Sequence, residues 1–210
     1  DLNAWVGLFA EFAECFGIKA DKNKLFSTLY QKAMEGDKDC GGMIACNYYS
    51  GEPVTGLEEG RPMFLRRPDA HFGLANFMRS HLYASLATLK IGLDILLKEE
   101  DVKIDSVTGH GGLFKTKGVG QSILAAAMNA PISVMETAGE GGAWGMALLA
   151  AYMLSKKDGQ SLGDYLDSQV FAERKSETME PDLADVAGFE AYTKQYQACL
   201  AAEKAAVQAF

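Results

Sequence analysis

The chain has 210 residues, 48% hydrophobic and 23% charged, with a formal net charge of −8, a composition typical of globular chains and enough length for one buried core or one and a half domains. The acidic balance excludes a nucleic-acid backbone as partner, which needs clustered Lys and Arg, but it leaves room for a single nucleotide held by backbone N–H groups. Cys15, Cys40, Cys46 and Cys199 form no CxxC pair, so neither a metal site nor a disulfide framework is expected, and reduced thiols in the cytoplasm are.

No apolar run approaches the roughly 20 residues of a membrane span, and with no basic stretch ahead of an apolar core a signal peptide is not expected. The first residue is Asp1, inside an apparent helix, so the chain reads as a piece of a longer protein. Leu2, Trp5, Leu8, Phe9, Phe12 and Phe16 fall on one helical face up to Gly17, and a second amphipathic helix is predicted over Lys24 to Met34. A strand follows over 42–48, then a Gly- and Pro-rich loop from Ser50 to Pro68. The apolar stripe from Leu74 to Leu96 predicts a helix over 74–98.

Next come a strand over 104–108, the loop Gly109-His110-Gly111-Gly112, a helix over 119–128, a strand over 132–135 and an Ala-rich helix over 142–154. That order is the one a parallel crossover requires. Leu162 to Val170 is a short amphipathic piece, Ser176 to Asp185 a charged stretch, and 189–207 a terminal helix. The fold class is α/β.

A glycine turn between a strand and a helix lets backbone approach a ligand closely, and the unpaired N–H groups of the following helix favour phosphate. Tight turns also use glycine for geometry alone, so both readings stand at this point. The residues 112–118 do not follow the order of a Walker loop, and Gly109-x-Gly111 lacks the third glycine of a dinucleotide fingerprint. A second small-residue segment, 137–147, suits helix packing or a nucleotide pocket equally.

Taken together, Ile104-Asp105-Ser106-Val107-Thr108-Gly109-His110-Gly111-Gly112, the helix, Pro131-Ile132-Ser133-Val134 and Glu140-Gly141-Gly142-Ala143-Trp144-Gly145-Met146-Ala147 resemble the C-terminal signature of FGGY carbohydrate kinases. Tyr49-Ser50-Gly51-Glu52 and the Gly73-Leu74 to His81-Leu82 stretch resemble two further family segments. The likeness is strongest to pentulose kinases such as xylulokinase and ribulokinase. It departs at His110, which stands for a glycine, at Leu113-Phe114-Lys115, at Pro53 and at Thr88.

The resemblance implies the C-terminal part of an actin/hexokinase-like (ribonuclease H-like) ATPase domain. It would occupy residues 1–155, with a C-terminal helical extension over 156–210. The implied activity is transfer of the ATP γ-phosphoryl to a sugar hydroxyl, xylulose preferred. Gly109, His110, Gly111 and Gly112 would meet ribose and α-phosphate, with Lys115, Thr116, Asn3 and Ala4 bordering adenine. The catalytic base and most Mg²⁺ and sugar contacts are expected upstream, in a lobe these residues do not include, so the chain alone is expected to be inactive. An unpaired sheet edge would favour a homodimer. The rival readings are a non-catalytic binding or regulatory module of the same superfold, and an unrelated α/β domain on which ATP has no effect. His81 is expected to be a packing residue, and Arg61, Arg66 and Arg67 a solvated loop cluster.

Overall fold

Apolar residues spaced by three and four make helices of the first part of the chain. In the computed structural model, which describes residues 1–104, 106–135, 141–172 and 176–209, α1 spans Leu2–Cys15 and α2 spans Lys22–Ala33. Asp21 starts α2 by accepting from the Lys24 N–H at 2.8 Å, a side-chain cap on an otherwise orphaned donor. A tight turn at Cys40–Gly42 feeds β1 (Met43–Cys46), buried along its whole length.

β1 pairs antiparallel with β2 (Met63–Arg66), Met43 standing opposite Arg66. The loop expected over 50–68 therefore contains a strand. Met63-Phe64-Leu65-Arg66 is too short to display alternation, and its flanking Pro62 and Pro68 signal a loop instead. α3 (Leu74–Lys98) has the expected bounds, and its first half buries Phe77, Met78, Leu82, Tyr83 and Leu86.

β3 (Val107–Gly109) and β4 (Ile132–Met135) run parallel, with α4 (Val119–Met128) as their connection. Parallel neighbours need such a crossover. α5 (Gly141–Ser155) and α6 (Leu162–Tyr165, continuing as a π turn over Leu166–Val170) follow. The charged stretch after them yields β5 (Ser176–Met179), antiparallel on β4 and absent from the sequence expectation. Its first three residues, Ser176, Glu177 and Thr178, are polar and exposed, and Ser133 and Thr178 share a cross-strand hydroxyl contact of 2.8 Å. The sheet order is β3-β4-β5, which leaves β3 at an edge.

α7 (Leu183–Ala209) packs on α3, α4 and β1. Phe189, Tyr192 and Tyr196 are fully buried on it, and Tyr83 meets Phe189 and Tyr192 at ring separations of 4.4 and 5.3 Å. Buried Arg79 fixes this join. It donates to the carbonyls of Ala33, Met34 and Gly36, to the Tyr83 hydroxyl and to the Asp185 carboxylate. Lys38 reaches the same carboxylate at 2.8 Å. Residues beyond 155 thus add a strand and a helix to the common core.

Candidate nucleotide site

The glycine turn leaves β3 at Gly109. A Cβ there would stand 2.3 Å from the ring of Phe114, so that ring packs directly on the backbone and fills this end of the turn. The other end is open. Gly111 has φ +104°, a conformation side chains avoid, and no atom lies within 4 Å of a Cβ built on Gly111 or Gly112. Gly112–Lys115 then forms a single 3₁₀ turn, and α4 begins only after Gly118, itself at positive φ. α4 therefore starts where the sequence predicts it, at Val119, with residues 113–118 between the glycines and its N-terminus. Its first turn borders a separate cavity of about 520 Å³ that shares Lys115 and Thr116 but no glycine of the 109–112 turn.

Beside the open end lies a cavity of about 680 Å³, between the start of α1, α2, the end of β1 and the 112–116 turn. Asn3, Gly112, Lys115 and Thr116 all line it. Residues far apart in sequence are therefore brought to one wall. Ala4, Gly109, His110 and Gly111 do not line it: Ala4 is exposed on α1, Gly109 lies under Phe114, and the His110 ring turns the other way. Two amides hold the frame. Gln31 on α2 donates to the Lys117 carbonyl at 3.2 Å, and Gln121 on α4 donates to the carbonyls of Ile132 and Glu177 at 2.7 and 2.8 Å.

Tyr30, Asn47 and Asn23 are among the further lining residues and were not legible as site residues, since they sit in elements with no motif of their own. Burial raises the Tyr30 phenol above its usual range, which keeps the hydroxyl protonated near neutral pH. The lining is amide, hydroxyl, aromatic ring and lysine, with Asp1 the single carboxylate and the Trp5 Nε1–H already donating to it at 3.1 Å. Such a surface binds rather than breaks bonds. Among the described residues no group of three or more His, Cys, Asp or Glu could hold a metal ion. The donor set of the cavity therefore does not fit Mg²⁺, which takes carboxylate oxygens and water.

His110 faces a second, apolar cavity of about 380 Å³ with Trp144, Leu148 and Phe171, the Trp144 and Phe171 rings 5.9 Å apart. Trp144 is a pocket wall. The first part of the second small-residue segment, 137–140, lies outside the described residues, as does Asp105. His81 is a packing residue, 1% exposed among Trp5, Phe64 and Phe77. Arg61 pairs with Glu59, Arg67 with Asp69, and Arg66 lies over Phe72, as a loop cluster does. Glu52 caps its own turn by accepting from the Val54 N–H. Among the described residues no helix is long and apolar enough to cross a membrane.

The family model for the FGGY family of carbohydrate kinases, C-terminal domain, matches residues 1–154. Similar solved structures include ligand-bound xylulose kinase from Lactobacillus acidophilus, 18% identical with a TM-score of 0.61 over 90% of this chain and 36% of that one. Xylulose kinase from Rhodospirillum rubrum is 17% identical, with a TM-score of 0.59 over 86% of this chain and 34% of that one. Plasmodium falciparum glycerol kinase with ADP is 16% identical, with a TM-score of 0.57 over 90% of this chain and 36% of that one. At these identities the likeness concerns the fold. The chain spans about one third of the length of these kinases. No curated protein matches it.

Proposed function

The chain belongs to the FGGY family of carbohydrate kinases through its C-terminal-domain segment, and on that premise we propose that the cavity beside Gly112 is the nucleotide site of a sugar kinase. The family's enzymes are phosphotransferases, and their C-terminal domains have the actin/hexokinase-like α/β fold found here. One observation supports the reading above the others. Asn3, Lys115, Thr116 and Gly112, to each of which the family resemblance gives a nucleotide contact, share one cavity of a size ordinary for small-molecule sites.

In this reading the open backbone at Gly112 takes ribose and the first phosphate, and Lys115 offers positive charge at the same wall. The full reaction transfers the γ-phosphoryl of ATP to a sugar hydroxyl, a pentulose such as xylulose by preference, the neighbours also including gluconate and glycerol kinases. Bound Mg²⁺ neutralises phosphate charge in such transfers. The residues here do not fit that ion, so the cation, the base that takes the sugar proton and the sugar contacts are assigned to parts of the kinase beyond these residues. Residues 1–155 form the nucleotide-binding part, with 156–210 as a C-terminal addition anchored through Arg79 and Asp185.

Isothermal titration of the 210-residue chain with ADP tests the reading. Weak, saturable binding is expected, together with no phosphorylation of D-xylulose or L-ribulose. Absence of any ADP binding, with no effect of ATP on melting temperature, would contradict the nucleotide site; turnover of either sugar would contradict the division of labour. The β3 edge further supports pairing of two copies, and light scattering that finds only monomer at high concentration would count against it.

A further inference from the structure

The cavity of about 520 Å³ at the start of α4 takes no part in the nucleotide reading above. One wall is the turn from Phe114 to Gly118 with Gln121 of α4, and a second is Val134 and Met135 of β4. The third is Ser176 and Glu177 of β5, a strand beyond the residues 1–154 that the family model matches. The C-terminal addition therefore builds part of this space.

Several donors on these walls are open. Gly118 is the N-cap of the ten-residue helix α4 and brings no side chain to cap its first turn. The Val119 N–H reaches the Thr116 carbonyl at 3.3 Å, whereas those of Gly120 and Gln121 have no acceptor among the described residues. Such a helix start favours an anion. Independently, Thr116 is 8% exposed, and its hydroxyl has no hydrogen-bond partner among the described residues. A buried hydroxyl left unpaired costs free energy unless a ligand or water meets it. The charged lining residues are Lys115, Lys117 and Glu177, a net positive set on a chain of net charge −8. Lys117 Nζ lies 3.1 Å from the Glu177 carboxylate and joins the turn to β5.

Main-chain N–H, hydroxyl and ammonium donors together match a tetrahedral oxyanion with three acceptor oxygens better than a flat carboxylate with two. A phosphate alone does not fill a cavity of this volume, and Phe114, Val134 and Met135 offer an apolar surface to whatever the phosphate carries. We propose that this cavity is a second ligand site, for a small organic phosphomonoester. Its phosphate lies on the first turn of α4 with Thr116 and Lys117, and its organic part lies against Phe114 and Val134. The site shares Lys115 and Thr116 with the nucleotide cavity, but no residue of the 109–112 turn lines it.

The probes are phenyl phosphate and inorganic phosphate, titrated into the ¹⁵N-labelled 210-residue chain. Saturable amide shifts are expected at Gly118, Gln121 and Ser176. Phenyl phosphate should bind at least about tenfold more tightly than inorganic phosphate, through burial of its ring. Lys117 and Glu177 are both exposed, and neither lines the nucleotide cavity. Lys117→Ala should weaken phenyl phosphate by roughly three- to tenfold, because it removes a cation. Glu177→Gln should tighten it by roughly threefold, because it removes the carboxylate that competes for Lys117. Opposite signs at two exposed positions do not arise from a general loss of fold, and weakening by both substitutions would overturn the proposal. Equal affinity for the two probes would mean an adventitious ion only, and the proposal would fall. It would fall too if no shift saturates, or if shifts at Asn3 and Gly112 replace those at Gly118 and Gln121 and so place the ester in the nucleotide cavity. ADP binding is measured separately, so none of these failures removes the nucleotide site.

Discussion

His81 should make the folded chain selectively sensitive to mild acid. Its ring is enclosed by Phe77, Trp5 and Phe64 at 4.5, 5.2 and 5.9 Å, and neither ring nitrogen has a hydrogen-bond partner. Nδ1 lies 3.3 Å from an Asp1 carboxylate oxygen, but without hydrogen-bond geometry. Burial, then repulsion from the α-amino group of residue 1, therefore lowers the pKa from 6.5 to about 4. Below 6.5 the unfolded chain takes up a proton that the folded chain refuses until about 4. Stability present above 6.5 is thus lost as pH falls, by about 2 kcal/mol at pH 5 and about 3 kcal/mol below pH 4. His81→Phe keeps an aromatic ring in an aromatic box and removes the titration. Urea unfolding at pH 7.5 and at pH 5 should show wild type losing about 2 kcal/mol more than the variant between the two conditions. Equal losses would refute the reasoning.

Arg79→Met should cost about 3–5 kcal/mol in urea unfolding, because it strands the buried Asp185 carboxylate and the Ala33, Met34 and Gly36 carbonyls together. A loss under about 1 kcal/mol would show that Lys38 alone satisfies Asp185. Gly112→Val places its side chain in open space bordering the cavity, so melting temperature should hold while ADP affinity falls by at least about tenfold. Unchanged affinity would remove Gly112 from the site. Glu203 is fully buried, accepts from the Arg61 N–H at 2.5 Å and leaves Oε2 without a partner; burial raises its carboxyl pKa against the opposing pull of Arg61. A raised folded pKa means stability is lost as pH climbs above the ordinary carboxyl range and through the folded value, so Glu203→Gln should flatten that fall in the stability profile. A profile unchanged by the substitution would contradict this.

The elements legible in the sequence were those whose periodicity is long or whose neighbours force it. α3 carries its stripe through Phe77, Met78, Leu82 and Leu86, and α4 with β4 completes the crossover that Gly109 begins. β2 and β5 were hidden because each is four residues long, one between prolines and the other polar on an exposed edge. The turn at 109–112 was legible as a place of close backbone approach. Its partial filling by Phe114 was not, since nothing in the spacing says which side chain folds back. The α2 wall was equally silent, because Asn23 and Tyr30 on an amphipathic helix read as ordinary surface and core until Gly112 and Thr116 are brought opposite them.

The most direct test is a titration of ¹⁵N-labelled chain with ADP, followed amide by amide. Saturable shifts are expected at Asn3, Gly111, Gly112, Lys115 and Thr116, with none around the apolar pocket of Trp144 and Phe171. Shifts confined to that second pocket, or no shifts at any of the five positions under saturating ADP, would contradict it.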